Sequence, residues 1–250
     1  MSTLNKNIID LSVNSMEKHG DDQKFEPFSD VHIFFPIANS LVDPLYFLGF
    51  SPNMITTMST IGTLVAIYFL HKDMKVEAAI SYIIGYILDC IDGRMARKYS
   101  MTSNEGMAYD GVSDVISNII LIFYLLFNYK MDKLNIMFIC IILFLSYMLS
   151  LSLGMMDAVA NYEKYGSDNF YRTKYNLLKD NIKEGTFLEK ILFKLYLFIT
   201  KCSYDTYKQH YKGYLPKKKK EIYKKLKILR HFGSGNYSLA VAIIILIMKK

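Results

Sequence analysis

Four aspartates occur at two regular spacings within otherwise apolar stretches of the chain. Asp89 and Asp92 are three residues apart, and Asp110 and Asp114 are four apart, so each pair shares one face of a helix. An aspartate inside an apolar helix is costly and by default marks a functional site. The stretch between the pairs is short, so the two helices can lie side by side with all four carboxylates converging.

Converging carboxylates repel one another strongly at low dielectric unless cations lie between them. Hard divalent cations prefer oxygen ligands, and two ions about 3.5–4 Å apart are the usual arrangement for phosphoryl transfer. The spacing therefore predicts a site for two Mg²⁺ or Mn²⁺ ions. The alternative is that the aspartates pair with Arg94, Arg97 and Lys98 and close a helix end, although three bases do not neutralise four acids.

Two glycines and an arginine accompany the aspartates. Gly93 follows Asp92 and lets a ligand approach the backbone, and Gly106 lies one turn before Asp110 on the same face. Arg97 is placed to bind a diphosphate, because a guanidinium has a fixed charge and planar donors. The alternatives are close helix packing for the glycines and extension of Arg97 into the cytosol.

The elements that must position these residues are membrane helices. The chain is 52% hydrophobic, and its apolar residues are clustered. Residues 54–70, 107–127 and 134–156 are long enough to cross a hydrocarbon core, and residues 77–92 form a shorter run that ends in acidic residues. We predict an all-α polytopic membrane bundle of about five to six transmembrane helices with additional interfacial helices. A polar loop at residues 94–105 is expected to join the second span to the third.

The flanking segments are less clearly membrane-spanning. Residues 1–50 predict a cytosolic tail followed by short interfacial helices, because Pro36 and Pro44 disfavour one continuous helix. Residues 51–250 form the predicted membrane domain, and Pro52 marks the start of its first helix.

Two later apolar runs are ambiguous. Residues 187–200 carry a lysine stripe, which favours an interfacial helix over a span. The apolar run at residues 237–248 is only about 18 Å long as a helix. It therefore either extends backwards through residues 226–232 across Gly233 and Gly235, or inserts partly.

Basic charge is concentrated in one segment. Residues 201–230 contain ten lysines and one arginine against two acidic residues, within a chain of net charge +7. In a membrane protein this bias predicts the cytosolic side and contact with anionic lipid, so we do not expect a nucleic-acid partner. The first 30 residues lack the apolar region of a secretory signal, and three cysteines give no disulfide framework.

The motif resembles that of the CDP-alcohol phosphotransferase family. The pattern D-x2-D-G-x2-A-R-x8-G-x3-D-x3-D is complete, and residues 52–56 are similar to the family's Pro-Asn-x-x-Thr helix start. The residues at the fixed positions of the pattern are Asp89, Asp92, Gly93, Ala96, Arg97, Gly106, Asp110 and Asp114.

The resemblance implies a specific division of roles. Asp89, Asp92 and Asp110 would hold the two metal ions, and Asp114 would be both a ligand and the general base. Residues that would line the donor slot are Gly93, Ala96, Arg97 and Gly106, with Ser103, Asn53 and Thr56 less directly involved. The resemblance also implies a CDP-linked lipid or CDP-amino-alcohol donor, a hydroxyl acceptor, release of CMP, a homodimer and a site that faces the cytosol.

Two other functions are weighed against this one. Intramembrane prenyltransferases also use aspartate-rich helices with Mg²⁺, but Asp92-Gly93 and Ala96-Arg97 do not fit their pattern. A non-catalytic transporter or scaffold would not need four intact aspartates. The sequence leaves open which alcohol accepts the group, how many spans follow residue 157, and whether the second half is divergent or truncated relative to the usual six spans of the family.

Overall fold

The computed structural model describes residues 26–211 and 219–249, and in these ranges it consists of helices and turns without strands. The predicted all-α membrane bundle is confirmed. The helices are α1 (Phe35–Phe47), α2 (Pro52–His71), α3 (Lys75–Lys98), α4 (Asn104–Asn128), α5 (Lys133–Tyr165), α6 (Phe170–Glu184), α7 (Phe187–Tyr211), α8 (Lys219–Leu229) and α9 (Ser234–Ile247), with a π-helical turn at Asp30–Phe34 and a 3-10 turn at Arg230–Phe232.

Three of the described helices, α2, α4 and α5, are long and apolar enough to cross a membrane. Helix α3 has 24 residues, but the charged residues of the motif occupy its last turns. It packs along α2. The chain is thus an integral membrane protein, and the total of five to six spans stays a prediction.

The predicted loop at residues 94–105 is wrong in its first half. Helix α3 continues to Lys98, because the stretch after Gly93 contains good helix formers and a single glycine does not end a helix. Helix α4 then begins at Asn104, where the Ser103 side chain accepts a hydrogen bond from the backbone N–H of Gly106. This N-cap sets the register of the second aspartate pair.

The prediction of short separate helices at residues 31–50 is also wrong. A single helix, α1, follows the π-helical turn without a break. Pro36 lies where the π-helical turn passes into α1, and Pro44 lies in the last turn of α1. The helix packs Ala38 and Val42 against the motif half of α3.

Helix α7 crosses one end of the bundle. We call this the motif end, since it contains the C-terminus of α3 and the N-terminus of α4. Phe193 of α7 packs with Ala108 of α4, and Tyr207 packs with the stretch of α5 around Met155. The first half of α7 thus lies at the motif end, whereas His210, near its C-terminus, contacts Tyr147 near the middle of α5. The interfacial helix at residues 187–200 stays a prediction.

The C-terminal run forms a helix that buries one face in the bundle. Gly233 is extended, with ψ of 177°, so α9 does not continue from residues 226–232 and that alternative is wrong. Tyr237, Val241 and Ile245 of α9 pack in the main apolar core with α3, α4 and α5. At its start, the buried Asp30 carboxylate accepts a 3.0 Å hydrogen bond from the Gly235 N–H.

Candidate active site

The site begins with a close crossing of α2 and α3. A Cβ added to Gly62 would lie 2.8 Å from the Cα of Gly85, and one added to Gly85 would lie 3.0 Å from the carbonyl oxygen of Ser59. Only glycine allows the two backbones to approach this closely. Because Asp89 follows Gly85 by one turn, the crossing brings the first aspartate pair against the beginning of α2.

Three carboxylates meet between α3 and α4. Asp89, Asp92 and Asp110 each offer an oxygen within 4.8 Å of the other two, and we call these residues the aspartate cluster. Asp92 is buried, with 3% of its surface exposed, while the other two are half-buried. Three negative groups this close in a partly buried site favour bound divalent cations. The cluster thus fits the predicted metal site in its chemistry.

Thr56 holds the most buried member of the aspartate cluster. Its hydroxyl donates a 2.5 Å hydrogen bond to Oδ2 of Asp92. The side chain of Thr56 is itself buried. Thr56 thus orients the Asp92 carboxylate, and its predicted contact with the donor stays a prediction.

Asp114 lies one turn beyond Asp110 on α4 and is not a member of the aspartate cluster. Its backbone carbonyl accepts a hydrogen bond from the side chain of Asn118, as expected in a helix that continues inwards. A carboxylate next to the aspartate cluster, but not part of it, is better placed to act as a base than as a metal ligand. The role of Asp114 as a metal ligand stays a prediction.

The residues predicted to line the donor slot fall into two groups. Asn53, Ser103 and Gly106 lie together, since a Cβ at Gly106 would be 3.2 Å from both Asn53 Oδ1 and Ser103 Oγ. Gly93 lies beneath the guanidinium of Arg97, whose Nη1 would be 3.2 Å from an added Cβ. Ala96 is half-buried beside Arg97 on α3. The first group belongs to α2 and α4, and the second belongs to α3.

A cleft of about 390 Å³ opens between α2, α4 and α7. Asn53 lies in its wall, so the cleft borders the group that contains Gly106. The hydroxyls of Thr57 and Tyr109 are 3.0 Å apart across it. The other lining residues are Met54, Glu105 and Leu192. The cleft therefore combines apolar walls with a few polar groups, as small-molecule sites commonly do.

Helix α1, in the segment predicted to form interfacial helices, contacts the motif helix directly, while the predicted tail at residues 1–25 lies outside the described residues. Arg94 donates to Asn39 at 3.0 Å, and its guanidinium lies 3.7 Å from the ring centroid of Phe35. Lys98 donates to Asp43 at 2.6 Å. Two of the three bases next to the motif thus contact α1, which weakens the alternative that these bases exist to neutralise the aspartates.

Sequence reasoning missed these contacts and a second group near α4. Asn39 and Asp43 are 55 residues from their partners in α3. Lys174, Asp157 and Tyr196 form a further polar group. No sequence spacing connects residues so far apart.

Comparison with known proteins agrees with this geometry. The CDP-alcohol phosphatidyltransferase family profile matches residues 50–204, which include α2 to α6 and most of α7. The match covers more than half of the 250 residues, and this chain belongs to that family. No solved structure matches it significantly.

Named relatives match over shorter stretches. A CDP-diacylglycerol--serine O-phosphatidyltransferase from Helicobacter pylori (strain ATCC 700392 / 26695) is 31% identical over 93 residues, which is 35% of this chain and 38% of the relative. An archaetidylinositol phosphate synthase from Pyrococcus horikoshii is 32% identical over 76 residues, 30% of this chain and 40% of the relative. The matched stretch therefore spans about two fifths of the length of these relatives.

Proposed function

We propose that this protein transfers a phosphoalcohol group from a CDP-linked donor to the hydroxyl of an acceptor and releases CMP, as a step of phospholipid biosynthesis. The observation that carries the proposal is the aspartate cluster, formed by residues of the family pattern at a helix crossing. Membership of the CDP-alcohol phosphatidyltransferase family supports it.

Asp89, Asp92 and Asp110 would hold two divalent ions, Mg²⁺ or Mn²⁺. Such ions, when bound, neutralise the charge of a diphosphate. The buried Thr56–Asp92 hydrogen bond fixes the orientation of one carboxylate. A ligand whose orientation is fixed in advance loses less entropy on binding, which raises metal affinity.

The donor would lie between the two groups of slot residues. Arg97 offers planar N–H donors for phosphate oxygens. Gly93 and Gly106 leave space on the helices that face it, and Asn53 and Ser103 offer polar atoms. The cleft between α2, α4 and α7 continues from Asn53 and is a suitable place for another part of the donor.

Asp114 would act as the general base. The acceptor hydroxyl oxygen forms a bond with the β-phosphorus of the donor, and the bond from that phosphorus to the bridging oxygen breaks, so that CMP leaves with the bridging oxygen. The proton of the hydroxyl passes to the Asp114 carboxylate. Correct placement of reactants and neutralised charge supply most of the acceleration in such transfers.

We propose that the site faces the cytosol and that the protein forms a homodimer, as the family resemblance implies. Arg94, Arg97 and Lys98 lie at the motif end, in agreement with the positive-inside rule.

The direct test is release of CMP from a CDP-lipid by the purified protein in detergent or vesicles, with Mg²⁺ or Mn²⁺ and a panel of acceptors. We expect CMP in amounts equal to the lipid product. Release of inorganic diphosphate from a prenyl donor instead would favour a prenyltransferase, and the absence of both reactions would favour a non-catalytic protein.

A further inference from the structure

A tyrosine of the C-terminal helix is connected to the proposed base through an asparagine. The hydroxyl of Tyr237, on α9, donates a 3.1 Å hydrogen bond to Oδ1 of Asn118, on α4. Nδ2 of the same asparagine donates a 2.9 Å hydrogen bond to the backbone carbonyl oxygen of Asp114. Asn118 therefore joins the Tyr237 hydroxyl to the turn of α4 that begins at Asp114.

A third helix fixes the direction of the Tyr237 hydroxyl. The hydroxyl of Ser146, on α5, donates to the Tyr237 oxygen at 3.1 Å and to the carbonyl oxygen of Ile142 at 2.9 Å. A phenol has one proton to donate, and because its oxygen accepts from Ser146, that proton is directed to Asn118. The hydrogen bonds thus form one chain from α5 through α9 to α4, in which each amide and hydroxyl has a defined direction.

This chain lies on the buried face of α4. Tyr237 is 5% exposed and packs in the main apolar core with Leu121 of α4 and Tyr82 of α3. Asp114, Asn118 and Leu121 follow one another at spacings of four and three residues, so they share one face of α4. That face therefore lies against α3 and α9, where water is excluded and a hydrogen bond is stronger than at the surface.

Tyr82 relates the Asp114 carboxylate to the same buried region. It precedes Asp89 by seven residues and therefore lies two turns before it on the same face of α3. Its hydroxyl lies within electrostatic range of both Asp89 and Asp114, and it adjoins Tyr237 and Ser238 of α9. The proposed base and the Tyr237 ring are thus both neighbours of one phenol.

We infer, on the basis of the proposed function, that Tyr237 is a positioning residue, which acts through Asn118 to fix the turn of α4 that carries Asp114. A general base works only within hydrogen-bond reach of the proton that it accepts, and a displacement of about 1 Å lowers the rate strongly. The family profile ends at residue 204, so this role belongs to a helix beyond the matched region.

The first experiment is Tyr237→Phe, which keeps the ring in the core and removes only the hydroxyl. We expect kcat for CMP release to fall about tenfold, the usual scale for one hydrogen bond. The concentrations of CDP-lipid and Mg²⁺ that give half-maximal rate should stay unchanged, because other residues hold the donor and the ions. The matched control is Tyr124→Phe on α4, whose buried hydroxyl has no hydrogen-bond partner among the described residues, and which should keep the wild-type kcat.

The outcomes of this experiment separate the inference from the proposed function. A wild-type kcat in Tyr237→Phe, or a rise in half-maximal donor or Mg²⁺ concentration as large as the fall in kcat, refutes the positioning role and leaves the proposed function intact. If the wild-type protein releases no CMP with any acceptor, the proposed function fails and the inference fails with it.

The second experiment repeats Tyr237→Phe in two other variants, Asn118→Ala and Asp114→Asn. If Tyr237 acts through Asn118 on the base, its hydroxyl has nothing left to position in either variant, so we expect the remaining rate to change less than twofold. A further tenfold loss in either variant would mean that Tyr237 acts by another route and would refute the inference. Where the remaining rate of Asp114→Asn is too small to divide further, the Asn118→Ala pair decides the result.

Discussion

The hydroxyl of Thr56 donates a 2.5 Å hydrogen bond to Oδ2 of Asp92, so the first apolar helix holds a carboxylate that belongs to the second. The two residues are 36 positions apart, and both are buried. Their contact depends on the glycine crossing of α2 and α3 one to two turns away. The geometry of the aspartate cluster is therefore a property of the helix pair.

Thr56→Val tests this relationship, since valine has nearly the same shape but donates no hydrogen bond. We expect metal affinity and activity to fall by about ten- to a hundredfold, the usual effect of removing a group that orients a ligand. The control is Thr60→Val, because Thr60 donates only to the backbone carbonyl of Thr56. If the two substitutions had equal effects, the loss of any hydroxyl on α2 would be sufficient to lower metal affinity and activity, and the contact with Asp92 would not be the cause.

Removal of divalent ions is the second prediction. The aspartate cluster brings three carboxylates within 4.8 Å, and we expect EDTA to abolish transfer and Mg²⁺ or Mn²⁺ to restore it. The measurement is CMP release before chelation, after chelation and after each ion is added back. Full activity in EDTA would contradict the two-metal site.

The third prediction separates the roles of the aspartates. Asp114→Asn keeps the shape of the side chain but accepts no proton, so we expect turnover to fall by about 10² or more with donor affinity retained. Asp89→Asn removes a member of the aspartate cluster and should weaken metal and donor binding together. Normal turnover in Asp114→Asn, or a loss of donor affinity alone, would transfer the role of base to Asp110.

The fourth prediction concerns the helix crossing. Gly85→Ala places a methyl group 3.0 Å from the Ser59 carbonyl, and backbone atoms there cannot move aside as a flexible side chain would. We expect a destabilisation of about 1–3 kcal/mol, typical of overpacking, and weaker metal binding as α2 and α3 separate. Gly93→Ala is the comparison for stability, because its methyl meets only the mobile end of Arg97. A Gly85→Ala variant with wild-type melting temperature would show that the crossing is loosely packed.

The fifth prediction uses pH. The hydrogen bond from Lys98 holds the pKa of Asp43 below its usual value, although burial opposes the shift. Because the folded-state pKa is the lower one, the stabilisation is present above the unfolded-state pKa and is lost as pH falls through the folded-state pKa. We expect Asp43→Asn to lower the melting temperature at pH 7. At a pH below the folded-state pKa of Asp43, the melting temperatures of the variant and the wild type should be equal. A difference that persists unchanged in acid would assign the effect to packing.

Local sequence was sufficient to predict that Asp89, Asp92 and Asp110 come together. The aspartates, Gly93, Gly106 and Arg97 could be selected because their spacing on two helices has a direct physical meaning, and the family assignment follows from the same residues. The membrane helices were equally predictable, since a run of about twenty apolar residues is typical of a helix that crosses a membrane. Helix ends were less predictable, as the continuation of α3 to Lys98 shows, because the free-energy difference between one more helical turn and a loop is small.

Only the tertiary structure decided how distant residues combine. It placed Thr56 behind Asp92, left Asp114 outside the aspartate cluster and joined Asp30 to Gly235 across 205 residues. It also joined Lys174 to Asp157 and to Tyr196, whose ring packs on Gly111 of α4. The sequence determines which side chains each helix presents, but their meeting depends on crossing geometry and on packing over the whole bundle, which no local spacing encodes.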